Sequence, residues 1–369
     1  MSTSFETNVR VASLSLIRAG QWFLNSGIQE PHGGVARYHH IAENCNARTS
    51  TEITGYSISA LLELHERTAD PAYLDAAARA GDLLCSAWNS AASAMPFEWA
   101  ASGELPEHHS YFFDNGIITR GLLRLWAATR DQRYLDTSVR CADSMRRDFV
   151  NAVDIDPILT LPDKTPIARD RRWSRSSDCY QLKSALGWLS VAEATGDNSY
   201  VAGYERALER ALHTHARFFD QEPDPQRVMD RLHAYSYFLE ALMPRVDRAD
   251  VREALSEGIE RAAGHLRRLR SVFERSDVNG QILRVRLWAD GLGAVPLDVD
   301  SAAEEAAWAA RYQMESADPR LDGGFNFGQR GGAATDFSNP VSTAFCLQAL
   351  ALWNDRRAGI QTVDWRKLI

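Results

Sequence analysis

Apolar positions along the chain fall into two kinds of helical stripe, and the two kinds alternate. In one series the stripe is one-sided and the opposite face is charged, at about 7–25, 71–90, 132–149, 198–219, 248–273 and 299–315. The other series is poor in charge and rich in small and apolar residues, at about 53–67, 115–129, 179–195, 232–243, a short piece near 282–296, and 340–354. A helix that is apolar on most sides wants burial, whereas an amphipathic one covers it from outside. No alternating strand pattern is long enough to compete, although short hairpins fit within the loops.

A repeated turn sets the pairing of the helices. Thr68-Ala69-Asp70-Pro71-Ala72-Tyr73 is echoed by Thr129-Arg130-Asp131-Gln132-Arg133-Tyr134 and by Thr195-Gly196-Asp197-Asn198-Ser199-Tyr200. Self-similarity at a period of roughly 60 residues is the signature of a helix-pair repeat. Six inner helices, each followed by an outer one, predict an all-α protein, an (α/α)6 toroid, as one domain over residues 1–369.

Connections from inner to outer helices are short, whereas the returns are long, at about 26–51, 91–113, 150–177, 274–288 and 316–338. Inner helices of such a ring all point the same way, so the long loops gather at their N-terminal ends. Long ordered loops usually carry function. These carry Arg37, Tyr38, His39 and His40; Trp99, His108, His109 and Tyr111; Arg171, Arg172, Trp173 and Arg175; Trp288 and Asp290; and Phe325, Phe327, Arg330 and Asp336. Aromatic rings with interspersed arginines suit sugar faces and carboxylate or phosphate groups. The same aromatics would also serve to pack the loops onto the ring.

Composition narrows the partners. A net charge of −8 and a pI near 5.7, with no basic run, argue against nucleic acid. The five cysteines are scattered and odd in number, without the spacing of a disulfide framework or a metal site. The N-terminal stretch reads as an amphipathic helix and not as a signal peptide, and no apolar run has membrane length. The expectation is a cytoplasmic protein with a carbohydrate substrate, without membrane insertion, bound metal or cofactor.

The Thr-x-Asp-x-x-Tyr turns resemble those between inner and outer helices of six-hairpin glycosidases, polysaccharide lyases and sugar epimerases. Trp22–His39 and Tyr312–Gln329 each place an aromatic-bearing helix before a Gly-Gly-apolar turn, similar to terpenoid cyclases and protein prenyltransferases. No single family is matched closely, and the fold these families share hosts several reactions. The acid motif of a class II cyclase has only Asp298-Val299-Asp300-Ser301 as a counterpart, which lacks its final acid. For a prenyltransferase zinc set, Asp178-Cys179 and His233 are present without the family spacing. A lanthipeptide-cyclase zinc site needs a Cys-His dipeptide, and the chain has none.

Four acids stand at or just before inner helices: Glu52, Asp114, Asp178 and Asp336. Glycoside hydrolysis needs one carboxylic acid to protonate the leaving oxygen and a second carboxylate to activate water or attack directly. Asp114 and Asp178 also suit helix caps or dipole-favoured first turns. His233 opens an inner helix in this reading, and Tyr180 lies on the inner helix before it. A His/Tyr pair beside an arginine would equip a uronate lyase or epimerase. The main expectation is a glycoside hydrolase acting on an oligosaccharide or glycan-assembly intermediate, acidic ones included. Its catalytic residues would be Asp114 with Glu52 or Asp178. Arg37, Tyr38, His39, Tyr111, Trp173, Arg175, Tyr180, Tyr237, Trp288 and Asp336 would bind substrate. The alternatives are a lyase or epimerase using His233, a non-catalytic glycan- or protein-binding toroid, and a prenyl- or terpenoid-type enzyme.

Overall fold

The structure is a computed structural model that describes residues 2–104, 108–152, 154–170, 172–220, 222–360 and 363–369, with side chains from residue 14 onward. Arg171 therefore lies outside the described residues. Twelve α-helices occur among these residues: α1 (Ser2–Asn25), α2 (Thr51–Thr68), α3 (Pro71–Ala87), α4 (Phe112–Thr129), α5 (Gln132–Ser144), α6 (Leu182–Thr195), α7 (Val201–Thr214), α8 (Pro225–Ala241), α9 (Ala249–Leu269), α10 (Ser276–Gly291), α11 (Val299–Ala310) and α12 (Pro340–Arg357). They fall into two compact units.

The first unit comprises Gln29–Arg37 and Ala47–Phe218. Its buried helices are α2, α4 and α6, and α4 packs between the other two. Each runs into its covering helix through the turn that recurs in the sequence, and the hydrogen bonds recur with it. The Thr68, Thr129 and Thr195 hydroxyls donate to the carbonyl four residues back, at 2.7, 2.8 and 2.8 Å. The same oxygens accept from the backbone N–H of Asp70, Asp131 and Asp197 at 3.2, 3.3 and 3.2 Å. Those aspartates then cap the next helix by accepting from a backbone N–H at 2.9, 3.0 and 2.9 Å. Between threonine and aspartate the chain passes through left-handed backbone at Ala69, Arg130 and Gly196. Tyr73, Tyr134 and Tyr200 are buried, 2–4% exposed, and pin the covering helix. Each cap contributes about 1 kcal/mol, and each buried ring adds roughly 2 kcal/mol.

The second unit comprises Met1–Ile28, Tyr38–Asn46 and Phe219–Ile369. Here α8, α10 and α12 are the buried helices, and α10 packs against both α8 and α12. Two of them depart from the sequence reading. α8 begins at Pro225, well before the expected 232, because Asp224 caps it through Gln226 N–H at 2.9 Å and Pro225 fits its first turn. His233 therefore lies inside that helix and does not open it. α10 begins at Ser276, where a loop reaching to 288 was expected. Its charges had disguised it as surface, but they are paired inside: Arg275 with Asp277, Arg284 with Glu240, and Arg286 with Glu305. Trp288 consequently sits on a helix, 2% exposed, and not in a loop.

The long loops carry short antiparallel ladders. In the first unit, Thr49–Ser50 pairs with Glu98–Trp99, and His109–Tyr111 pairs with Ile158–Thr160, which pairs in turn with Thr165–Pro166. In the second, Phe337–Ser338, His39–His40 and Cys45–Asn46 form one sheet, and Ala333–Ala334, Gly328–Arg330 and Phe273–Arg275 form another. The strands Thr49–Ser50, His109–Tyr111, Phe273–Arg275 and Phe337–Ser338 lead into α2, α4, α10 and α12. Ordered loops thus stand at the N-terminal ends of buried helices. No helix among the described residues is long and apolar enough to cross a membrane.

Candidate functional site

Glu52 and Asp114 occupy the first turns of α2 and α4, and the packing of these helices is built on glycine. A Cβ on Gly121 would lie 2.5 Å from the Gly55 carbonyl oxygen, and one on Gly116 would lie 2.4 Å from Ser184 Cα on α6. Backbone meets backbone at both crossings, so the helix starts converge and carry their acids with them. Glu52 and Asp114 line one cavity of ≈ 240 Å³ together with Arg37, Phe97, Tyr111, Phe113, Trp173, Tyr180 and Gln181.

Burial decides the electrostatics of the acid pair. It pushes the Glu52 carboxyl up to about 7, against the pull of the Arg37 cation. Asp114 is held well above the usual carboxyl range, first by burial and then by the negative charge of Glu52, with Arg37 again opposing. Two nearby carboxyls in a dry site do not both ionise, so one proton is retained between them. Asp114 is 4% exposed, and its Oδ2 has no hydrogen-bond partner among the described residues. Asp114 lines the cavity with one carboxyl oxygen unpartnered, and a carboxyl whose pKa is raised by burial holds its proton more firmly than a free one, as a proton donor must.

Arg37 stands over the Phe97 ring, 5.0 Å from its centroid, and its Nη1 donates to Glu98 Oε1 at 3.3 Å. The other oxygen of Glu98 accepts from Arg48 Nε at 2.7 Å. Glu98 is 2% exposed and sits in the ladder directly opposite Ser50, two residues before Glu52. Aromatic walls complete the cavity. Trp173 meets Tyr180 edge-on at 5.1 Å, and Tyr180 lies 5.9 Å from Phe113. The Tyr180 hydroxyl donates to the Ser176 carbonyl at 2.8 Å and accepts from Gln181 Nε2 at 2.7 Å. Burial raises its pKa well above the phenolic range, so Tyr180 stays protonated and acts as wall and hydrogen-bond anchor.

Other expected residues fall elsewhere. Asp178 caps the 3-10 turn Cys179–Gln181 without a side-chain hydrogen bond and is not among the cavity residues. Arg175 points to Asp170, 3.4 Å away. The remaining ones belong to the second unit. There Tyr38 packs against His40 and Phe337, His39 Nδ1 pairs with Asn46 Oδ1 at 2.9 Å, and Asp336 accepts from Ala42 N–H at 3.0 Å.

His233 has a tyrosine partner, one turn along its own helix. The Tyr237 hydroxyl lies 2.9 Å from Nε2, and Nδ1 lies 2.8 Å from Gln281 Oε1. Gln281 Oε1 can only accept, so Nδ1 carries the hydrogen and Nε2 accepts from Tyr237. Burial, seconded by Arg275 and opposed by Asp277, drives the imidazole pKa down to about 3. His233 is a neutral ring with both nitrogens engaged.

The sequence reading passed over Phe97, Glu98, Phe113 and Gln181. Glu98 had a signal of its own, a lone acid inside the aromatic run Phe97-Glu98-Trp99. Asp277 was hidden with α10, although Asp277-Val278-Asn279-Gly280 echoes Asp114-Asn115-Gly116.

Solved structures resemble this chain along nearly its whole length. Cellobiose 2-epimerase from Spirochaeta thermophila superposes with a TM-score of 0.68 at 14% identity, covering 97% of this chain and 100% of that one. An α-amylase from Clostridium perfringens gives 0.62 at 9%, covering 92% and 98%. A family 76 glycoside hydrolase from a bovine Bacteroides thetaiotaomicron strain gives 0.62 at 12%, covering 96% and 78%. No family model and no curated protein sequence matches. At these identities the likeness shows the fold: the chain is an all-α, six-hairpin α/α toroid, as its helix pattern predicts.

Proposed function

We propose that this protein is a glycoside hydrolase in which Asp114 donates the proton to the leaving glycosidic oxygen and Glu52 is the partnering carboxylate. The observation that carries this reading is the pair itself. Two acids from neighbouring helices line one aromatic-walled cavity, both with raised pKa, one with an unpartnered oxygen. Hydrolysis needs one carboxyl protonated and one ionised at the same moment, and coupled acids that share a proton supply that state. Phe97, Tyr111, Trp173 and Tyr180 offer ring faces to a sugar, and Arg37 and Gln181 offer it polar contacts. Fold likeness to an amylase and a family 76 glycoside hydrolase is in keeping with a carbohydrate substrate.

Likeness to an epimerase supports a second reading, proton abstraction at the sugar ring. That reading asks His233 to free a nitrogen held by Tyr237 or Gln281. One experiment separates the two. The protein is incubated with neutral and uronate-containing oligosaccharides, and products are read by mass. Hydrolysis gives fragments that together gain one water and disappear in Asp114→Asn and Glu52→Gln. A product isomeric with its substrate, carrying solvent deuterium and lost in His233→Ala, overturns the hydrolase.

A further inference from the structure

We infer that the cavity selects a sugar residue bearing a carboxylate, with Arg37 as the receptor for that anion and Gln181 as the acceptor for one of its hydroxyls. This deepens the hydrolase reading and rests on the same cavity.

Unspent hydrogen-bonding capacity around the cavity defines the ligand as a complement. Gln181 is 2% exposed, and its Oε1 has no partner among the described residues, because the amide is oriented by Nε2 donating to Tyr180 and to the Ser176 carbonyl. A buried amide oxygen left empty costs about 1–3 kcal/mol. A ligand hydroxyl removes that cost by donating to it. Asp114 Oδ2 is the second unpartnered oxygen on the same wall.

Arg37 supplies the opposite polarity. One of its five N–H groups is engaged, by Glu98 at 3.3 Å; its Nε and Nη2 find no acceptor among the described residues, and its side chain is 42% exposed. Glu98 must also serve Arg48, which holds the shorter contact, so one carboxylate faces two guanidinium groups. Arg37 thus presents a guanidinium whose Nε and Nη2 are unspent in hydrogen bonds, and that fork matches a carboxylate in shape and sign. Phe97 lies flat beneath that guanidinium and keeps it over the cavity. At ≈ 240 Å³ the cavity is smaller than sites for drug-sized ligands and suits one ring, not a chain segment.

The test measures binding apart from turnover. D-Glucuronate, D-galacturonate and D-mannuronate are titrated against D-glucose, D-galactose and D-mannose by calorimetry or ligand-observed NMR. At least one acid should bind about tenfold or more tightly than its matched hexose, and the advantage should shrink in high salt. In Arg37→Gln the ratio should fall towards one, whereas Gln181→Ala should weaken acid and hexose together. Circular dichroism checks that both variants fold, and the wild-type ratio and its salt dependence stand without them. Equal binding of acids and hexoses, failure of all three acids to bind, or a ratio unmoved by Arg37→Gln in a folded variant overturns the inference. If the acid preference holds and no glycoside is cleaved, the hydrolase reading falls and this one stands.

Discussion

Gly116 of α4 and Ser184 of α6 touch backbone to backbone: a methyl on Gly116 would fall 2.4 Å from Ser184 Cα and carbonyl oxygen alike. No flexible side chain stands there to move aside. Gly116→Ala must push the helices apart, and the start of α4 goes with them. We expect a loss of about 1–3 kcal/mol in denaturant unfolding. Catalytic rate should fall by more than stability alone explains, since Asp114 precedes the contact by two residues. A variant with unchanged midpoint and unchanged rate would refute this account of how the acids are brought together.

The acid pair predicts an unusual pH–rate profile. If Glu52 must be ionised and Asp114 protonated, activity rises as pH passes through about 7, the value to which burial pushes Glu52. It falls again at higher pH as the pair gives up its remaining proton. The optimum should therefore lie on the alkaline side of neutrality. A profile declining from pH 5 upward would assign the roles to other groups.

Stability should depend on pH through the same carboxyl, with a sign opposite to that of a salt-bridged acid. Glu52 holds its proton to about 7 when folded and to about 4.5 when unfolded. Its contribution is fully present below 4.5 and is lost as pH rises through 7. At pH 8 the folded protein bears the cost of an ionised, half-buried carboxylate. Glu52→Gln should thus stabilise the protein at pH 8 by on the order of 1–3 kcal/mol and change little at pH 4. Thermal melts of both proteins across that range would show it.

In the second unit, Arg284 and Glu240 form an ion pair with no solvent exposure on either side chain. Arg284 also donates to Gln348 at 3.0 Å and lies over Phe345, 4.1 Å from the ring centroid. Glu240→Gln would strand a buried cation, at about 3–5 kcal/mol. Replacing both by leucine and methionine should cost less, because no charge is then left alone. Chemical denaturation of the two variants side by side is the check.

How much of this was legible depended on where the chemistry is local. The Thr-Asp-Tyr turns announce themselves because each hydroxyl and each cap works within about ten residues, so three copies read alike. Asp114 and Glu52 were legible for a similar reason, as acids at the starts of charge-poor helices. α10 was not, because Arg284 and Arg286 look like surface until Glu240 and Glu305, distant in sequence, neutralise them. Gln181 was equally silent, and Glu98 showed only as a lone acid among aromatics: whether an amide oxygen is left empty, or one carboxylate must serve two arginines, is a fact of three-dimensional neighbours alone.

The ladder opposing Ser50 to Glu98 separates two kinds of inheritance. Arg37, Phe97 and Glu98 belong to loop backbone, whereas Glu52 and Asp114 belong to helices locked together at glycine crossings. On the proposed reading, point changes in these loop segments would retune ligand choice without touching the helix crossings. The two helix-borne carboxyls, committed to the packing, would stay where the glycine crossings put them.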